Sequence, residues 1–107
     1  MEIKQYEIVL VNLDPTIGSE MKKTRPCTVI SLNEMNKYLQ TIVIAPVTSS
    51  SKPYPTRVEV NLAQTKGWIV LDQIRTVDRK RVVKKLDKLT TTEIESVKAV
   101  IMETYVA

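Results

Sequence analysis

The residues with the greatest capacity for chemistry lie in two short polar stretches that adjoin β-type runs. Glu20 and Arg25 belong to the stretch 18–26, and Thr48 belongs to Pro46-Val47-Thr48-Ser49-Ser50. A guanidinium is always ionised and can hold two phosphate oxygens at once. A hydroxyl can donate a hydrogen bond, and a carboxylate can accept a proton. Together these groups could neutralise a developing charge and assist proton transfer at a phosphate.

The composition narrows this chemistry further. The chain of 107 residues has no histidine and one cysteine, which excludes a Ser-His-Asp triad, an imidazole metal ligand and an internal disulfide. The carboxylates are scattered, and no spacing suits a zinc site or a two-metal nuclease. We therefore predict no metal and no cofactor. Lysine and arginine total 16 against 12 acids, and the resulting charge of +4 predicts a mild attraction to polyanions.

The length predicts a single domain over residues 1–107. Runs of apolar and β-branched residues predict strands at 6–13, 26–32, 41–47, 56–62, 68–72, 75–77 and 80–86. Thr90 and Glu93 fit a capping box, and an apolar stripe from Ile94 to Tyr105 predicts a final helix. This order predicts a mostly-β (α+β) half-open barrel with a C-terminal helix. The polar first residues and the lack of a long apolar run predict a cytoplasmic protein with no membrane segment.

Several motifs match one known family in the right order. The loop Gly18-Ser19-Glu20…Arg25-Pro26 and the strand end Pro46-Val47-Thr48-Ser49 resemble the MazF/PemK toxin endoribonucleases, and Asn12-Leu13-Asp14-Pro15 and 71–76 also match that pattern. The resemblance implies an SH3-like barrel of the CcdB/Kid/MazF type that forms a homodimer. It implies cleavage of single-stranded mRNA at short defined sequences, leaving a 2′,3′-cyclic phosphate and a 5′-hydroxyl. It also implies a cognate antitoxin whose acidic C-terminal segment covers the RNA groove.

The resemblance implies that Arg25 and Thr48 are the catalytic residues. From the residues alone, Arg25 could instead be a solvated arginine, and Thr48 could be a turn threonine that bonds its own backbone. Glu20 could accept the proton of the 2′-hydroxyl, orient Arg25, or simply be exposed. Ser19, Asp72 and Gln73 are further candidates for catalysis or RNA positioning.

Asp72 matches an aspartate that some family members are thought to use as a base. Those members also have a histidine just before the loop glutamate and an arginine two residues before the aspartate. Ser19 and Val70 occupy these positions here. This difference argues against Asp72 as the base and favours a scheme built on Arg25 and Thr48.

Polar and basic residues near these motifs could hold the RNA on either side of the cut: Lys22, Lys23, Ser49, Lys52 and Arg75. Trp68 is the strongest candidate for stacking on a base, but it could equally pack in the core or in a dimer interface. The basic segment 79–88 could be a solvated strand face or a patch that attracts RNA.

Two other functions fit a small barrel of this kind. A gyrase poison of the CcdB type would share the fold, but that group has a tryptophan in its C-terminal tail, whereas this chain ends Glu103-Thr104-Tyr105-Val106-Ala107. A non-catalytic barrel that binds nucleic acid or peptide would use Arg25 and Thr48 as ordinary surface residues.

Overall fold

Strands dominate the computed structural model, which describes residues 1–13 and 23–106. The elements in this part of the chain are β1 (Glu7–Asn12), β2 (Thr24–Val29), α1 (Asn33–Tyr38), β3 (Thr41–Thr48), β4 (Arg57–Asn61), β5 (Lys66–Val70), β6 (Arg75–Asp78), β7 (Val82–Lys88) and α2 (Thr91–Ile101). Short 3₁₀ turns at Leu71–Gln73 and Arg79–Arg81 flank β6, and α2 continues into a π-helical turn, Met102–Val106. The mostly-β architecture with a C-terminal helix is thus confirmed. No helix within the described ranges has the length and apolar character needed to cross a membrane.

Strand β3 is the centre of the sheet. The strands lie in the order β4-β5-β3-β2-β1-β7, and all the pairings are antiparallel. On one side, residues 44–46 of β3 pair with β2. On the other side, residues 41–44 pair with β6 and residues 47–48 pair with β5. Pro46, which has no N–H to donate, lies where the partner changes from β6 to β5. Because β3 shares one edge between two strands, the sheet curls into a half-open barrel.

The two faces of the curled sheet bury two separate cores. One core faces α2 and consists of Ile8, Ala45, Val47, Val58, Val60, Ile69, Leu71, Leu89 and Val97. The other lies on the opposite face of β1 and β3 and consists of Ile3, Val9, Val11, Cys27, Val29, Ile42, Ile44 and Val77. Successive residues of β1 and β3 alternate between the two cores because side chains of a strand point to opposite faces. This double burial explains why β1 has an almost continuous apolar sequence.

The C-terminal helix begins as its sequence predicts. The Thr90 hydroxyl accepts a hydrogen bond from the Glu93 N–H at 3.2 Å, and the Glu93 carboxylate accepts one from the Thr90 N–H at 2.9 Å. This reciprocal pair is a capping box. Val97 is fully buried in the core that faces α2. Tyr105 is about half exposed, but its hydroxyl donates a hydrogen bond to the Leu71 carbonyl and so connects the end of the helix to the 3₁₀ turn after β5.

Three predicted strands had wrong boundaries, with both ends displaced by at least two residues. Strand β2 begins at Thr24 and ends at Val29, because Ile30 and Ser31 donate their N–H groups to Val43 at the start of a bend rather than continuing the ladder. Strand β5 ends at Val70, so Asp72 lies in a 3₁₀ turn. The final strand runs from 82 to 88, because the Asp78 side chain accepts a hydrogen bond from the Lys80 N–H and caps the 3₁₀ turn before it.

Candidate active site

An arginine-rich cleft of about 380 Å³ lies at the end of β3. Arg25 comes from β2, Thr48 from the end of β3, and Arg75 from the start of β6. The complete lining of the cleft is Leu13, Arg25, Pro46, Thr48, Ser50, Arg57, Val70, Gln73 and Arg75. The structure therefore brings together four residues that the sequence nominated, namely Arg25, Thr48, Gln73 and Arg75.

The pairing of β2 with β3 brings Arg25 and Thr48 to the same cleft. The ladder between these strands ends at the pair of Cys27 and Pro46. Arg25 and Thr48 each lie two residues beyond this last pair, on the two neighbouring strands, and both line the cleft. The two motifs are 23 positions apart in the sequence, and strand pairing alone makes them neighbours.

The charge of the cleft favours an anion. Three guanidinium groups line it, and no carboxylate does so among the residues that the structure describes. Leu13, Pro46 and Val70 supply an apolar wall beside these cations. Within the described residues, no hydrogen bond or ion pair engages the guanidinium of Arg25 or Arg75. Both groups are therefore available to a ligand.

Cys27 lies beneath this cleft, and its thiol is unreactive. Its thiol is fully buried, and burial raises its pKa to about 12, against the opposing effect of the positive charges of Arg25 and Arg75. A thiol with that pKa carries almost no thiolate at neutral pH, and the thiolate is the nucleophilic form. Cys27 therefore packs the core beneath the site and is not a nucleophile.

Arg57 is a residue of the cleft that the sequence analysis missed. Its Nη1 donates to the Ser51 hydroxyl at 2.6 Å, its Nε lies 3.5 Å from an Asp72 oxygen, and its guanidinium stacks on the Tyr54 ring at 4.9 Å. These contacts fix both the side chain and the loop that precedes β4. The alternating pattern of 56–62 placed Arg57 on a polar strand face, but only the sheet order shows that this face borders the cleft.

Asp72 does not line the cleft; it belongs to the network that holds Arg57. Its carboxylate accepts hydrogen bonds from Thr56 at 2.9 Å and from Arg57 at 3.5 Å. Burial would raise the pKa of Asp72, but the hydrogen bonds from Thr56, its own N–H and Arg57, with the Arg57 charge, together lower it. A carboxylate with a lowered pKa is a weaker base. This arrangement fits a structural Asp72 better than a catalytic one.

Thr48 has the local bonds of a turn residue as well as a position in the cleft. Its hydroxyl donates to the Ser50 carbonyl at 3.1 Å, and the Ser50 N–H lies 3.4 Å from the same oxygen. The backbone of Thr48 also packs directly on Gly67, where a Cβ would lie 2.1 Å from the Thr48 carbonyl oxygen. Gly67 has φ +149°, a conformation that favours glycine. Glycine at this position thus permits the close approach of β5 to the end of β3.

The other nominated residues divide into three groups. Ser49 and Trp68 line a second groove, which lies along β4 and β5. Lys23 and Lys52 are exposed and line neither of these depressions. Ser19, Glu20 and Lys22 lie outside the described residues.

Among residues 1–13 and 23–106, no three His, Cys, Asp or Glu side chains are grouped so that they could hold a metal ion.

Comparisons with known proteins match both the sequence and the fold. The family model of PemK-like, MazF-like toxins of type II toxin–antitoxin systems matches residues 4–105. The fold is similar to that of MazF from Deinococcus radiodurans, with 25% identity, a TM-score of 0.80 and 96% of each chain covered. A chain of the MazE–MazF complex from that organism matches with 24% identity, a TM-score of 0.82, and coverage of 96% of this chain and 95% of that one.

A mycobacterial endoribonuclease in complex with its cognate antitoxin is similar at 16% identity, with a TM-score of 0.82 and coverage of 94% of this chain and 92% of that one. At such low identity the likeness shows the shared barrel fold. The family model, in contrast, rests on the sequence and spans almost the whole chain. The arginine-lined cleft thus lies in a barrel of the expected type, and the chain belongs to the family of PemK-like, MazF-like toxins of type II toxin–antitoxin systems.

Proposed function

We propose that this toxin is an endoribonuclease that cleaves single-stranded mRNA at short defined sequences without a metal ion. The observation that carries the proposal is that Arg25 and Thr48 line one cleft with two further arginines and no lining carboxylate among the described residues. Such a cleft suits a phosphodiester, because guanidinium groups hold phosphate oxygens in pairs. Solved structures of similar fold include proteins named as endoribonucleases, which supports the same conclusion.

In the proposed reaction, the 2′-oxygen of the RNA attacks the adjacent phosphorus. The bond from phosphorus to the 5′-oxygen breaks, which leaves a 2′,3′-cyclic phosphate and a 5′-hydroxyl. Arg25 and Arg75 neutralise the charge that grows on the non-bridging oxygens, and such stabilisation is usually a large part of catalysis. The Thr48 hydroxyl exchanges its bond to the Ser50 carbonyl for one to the phosphate or the 2′-oxygen.

The proton of the 2′-hydroxyl needs an acceptor, and in this proposal the leaving 5′-oxygen takes a proton from water in the open cleft. Asp72 is a poor acceptor because Thr56 and Arg57 already occupy its carboxylate. Glu20 remains the candidate acceptor from the sequence, and it lies outside the described residues. Gln73 lines the cleft, and in this proposal its side-chain amide positions the RNA by hydrogen bonds.

The test is cleavage of a long single-stranded RNA by the purified protein in the presence of a chelator. We expect discrete fragments with 5′-hydroxyl and 2′,3′-cyclic ends, and no cleavage of a duplex of the same sequence. An oligonucleotide with 2′-deoxyribose on the 5′ side of the scissile bond should bind but stay intact. Cleavage of that oligonucleotide would contradict internal attack. A protein that binds RNA but leaves it uncut with or without added magnesium would be the non-catalytic barrel.

We also propose that a cognate antitoxin with an acidic C-terminal segment inhibits the toxin by covering the arginine cleft, and that the toxin is a cytoplasmic homodimer. Two solved structures of similar fold are toxin–antitoxin complexes, which supports such a partner. An acidic peptide would compete with RNA for the cationic cleft. Light scattering should give the mass of a dimer, and the peptide should abolish cleavage more strongly at low salt than at high salt.

A further inference from the structure

A second groove of about 470 Å³ lies beside the arginine cleft, along β4 and β5. Ser49, Glu59, Val60, Asn61, Lys66, Gly67 and Trp68 line it. In the ladder between these strands, Glu59 is paired with Trp68 and Asn61 with Lys66. Paired residues point to the same face, so the four polar or aromatic side chains share one face of the sheet. The volume is within the range of small-ligand sites.

The groove and the cleft belong to one continuous surface. Trp68 is paired with Glu59 on one side and with Thr48 on the other. Opposed side chains in an antiparallel pair have Cβ atoms roughly 5 Å apart. Arg57 and Val70, which line the cleft, are the next pair along the same face of β4 and β5. A nucleotide next to a phosphate held at Thr48 would therefore have its base within reach of the Trp68 ring.

The polar side chains of the groove are available for recognition. Within the described part of the chain, no hydrogen bond or ion pair engages the side chains of Glu59, Asn61 or Lys66. The diagonal neighbours Glu59 and Lys66 have Cα atoms roughly 7–8 Å apart, and both side chains are long enough to contact a planar ring from either side. Trp68 is half buried, so its ring is anchored but still presents a surface to the groove.

We propose that this groove is a subsite for one unstacked base of the RNA, and that it prefers guanine. The proposal rests on the proposed RNA substrate. A carboxylate accepts hydrogen bonds and repels phosphate, so Glu59 would face N–H groups of a base. Guanine offers two adjacent N–H donors, at N1 and N2, to the two oxygens of one carboxylate. Its O6 and N7 atoms accept hydrogen bonds from lysine or an amide. Uracil has one N–H between two carbonyl groups and fits the least well.

The test uses the fluorescence of Trp68, the single tryptophan of the chain. The probes are uncleavable 2′-O-methyl hexamers, one of uridine alone and others with a single guanosine, adenosine or cytidine. We expect the guanosine probe to quench the fluorescence and to bind at least about fivefold more tightly than the uridine probe. Equal quenching and equal affinity for all four probes would overturn the proposal.

Single substitutions in the groove test which side chains produce the preference for guanosine. Glu59→Gln should abolish the preference for guanosine, because an amide offers one acceptor in place of two. Glu95→Gln on α2 removes the same charge from an exposed residue and should leave the preference intact. Trp68→Ala, measured by the anisotropy of a labelled probe, should bind the guanosine probe about tenfold more weakly, in line with the loss of one stacking contact. A Glu59→Gln protein that keeps the preference would contradict the subsite, and Trp68→Phe with a normal melting curve controls for folding.

The failure of this proposal and the failure of the ribonuclease assignment give different results. A wild-type protein that cleaves RNA but shows no base preference in the fluorescence assay lacks the subsite and keeps its enzymatic function. A protein that prefers the guanosine probe but cuts no RNA has the subsite and is a binding barrel. If both proposals hold, mapped cleavage sites will carry guanine next to the cut, and Glu59→Gln will relax that requirement.

Discussion

The three arginines of the cleft are held in different ways, and this difference predicts their roles. The guanidinium of Arg57 already contacts Ser51, Tyr54 and Asp72. Those of Arg25 and Arg75 have no such partner among the described residues. Donors that are unoccupied in the free protein can be directed at charge that develops during reaction. We therefore expect Arg57 to fix the wall of the cleft and Arg25 to act on the phosphate.

Arg25→Ala should lose far more activity than RNA affinity, because a group directed at transition-state charge acts mainly on the chemical step. We expect a loss of roughly 10²–10³ in the single-turnover cleavage rate. Arg25→Lys should recover only part of it, because lysine keeps the charge but not the planar two-point contact. Lys98→Ala on α2 removes an exposed cation away from the cleft and is the matched control. A near-normal rate in Arg25→Ala would refute the central role of this residue.

Asp72 should contribute to stability in a pH-dependent way. Its folded-state pKa is lowered, so the ionised form stabilises the native state above the ordinary aspartate pKa of about 3.9. This contribution should disappear as the pH falls through the lowered pKa. The difference in melting temperature between the wild type and Asp72→Asn should therefore be larger at pH 7 than near pH 3. The pKa of Asp78 is also lowered, but Asp78 is present in both proteins, so its contribution cancels when the two melting temperatures are compared. An equal difference at both pH values would show that the charge of Asp72 does not stabilise the folded protein.

At the scale of the elements, the close contact between β5 and the end of β3 is the critical one. Trp68 and Ile69 pair with Thr48 and Val47 across a two-residue ladder. Gly67 lies at its edge, against the Thr48 carbonyl. This short ladder connects the arginine cleft with the second groove. A change in its geometry should therefore affect both sites together.

Gly67→Ala tests this ladder directly. The new Cβ would lie 2.1 Å from the Thr48 oxygen, and the backbone φ of +149° is unfavourable for alanine. Backbone strain of this kind costs about 1–3 kcal/mol, and for a domain of this size 1 kcal/mol lowers the melting temperature by about 4–8 °C. We expect the melting temperature to fall by about 10 °C. We also expect a reduced cleavage rate at temperatures at which the variant is still folded. Ala99→Ser, a similarly small change on an exposed position of α2, should lower the melting temperature by only a few degrees and leave the cleavage rate unchanged. A fully active and stable Gly67→Ala protein would show that β3 and β5 can separate without loss of the site.

At the scale of the whole molecule, the net charge of +4 is modest, and its placement matters more than its size. Arginines from β2, β4 and β6 meet at one cleft, although they lie far apart in the sequence. Converging cations raise the local concentration of a polyanion and make its binding sensitive to salt. The number of phosphates held in the cleft should therefore be measurable from the salt dependence.

For single-stranded RNA, each phosphate contact contributes about −0.7 to the slope of log affinity against log salt. The two unoccupied cleft arginines, Arg25 and Arg75, predict a slope of about −1.4 for an uncleavable RNA that spans the site. Arg75→Ala should reduce the slope by about 0.7, and Lys98→Ala should leave it unchanged. Fluorescence anisotropy at several salt concentrations provides the measurement. A slope near zero in the wild type would place the RNA away from the cleft.

The amino-acid sequence by itself determined the features that depend on local interactions. The capping box of α2 joins residues only three positions apart, and the buried strands follow from runs of apolar residues. The order of the motifs also indicated the family, and with it the barrel. The catalytic role that the same motifs assign to Arg25 and Thr48 stays a prediction. The boundaries of β2, β5 and β7 were less predictable, because single hydrogen bonds from neighbouring turns end or begin these strands.

Only the tertiary structure decided which polar faces meet. Alternation along β4 shows that Arg57, Glu59 and Asn61 share a face, but it does not show what that face borders. The order β4-β5-β3-β2 supplies that information, since it places Arg57 in the cleft and Trp68 between Glu59 and Thr48. Strand pairing is non-local, and its energy comes from packing on both sides of the sheet. For this reason local patterns specify which residues are polar, and only the folded sheet assembles them into sites.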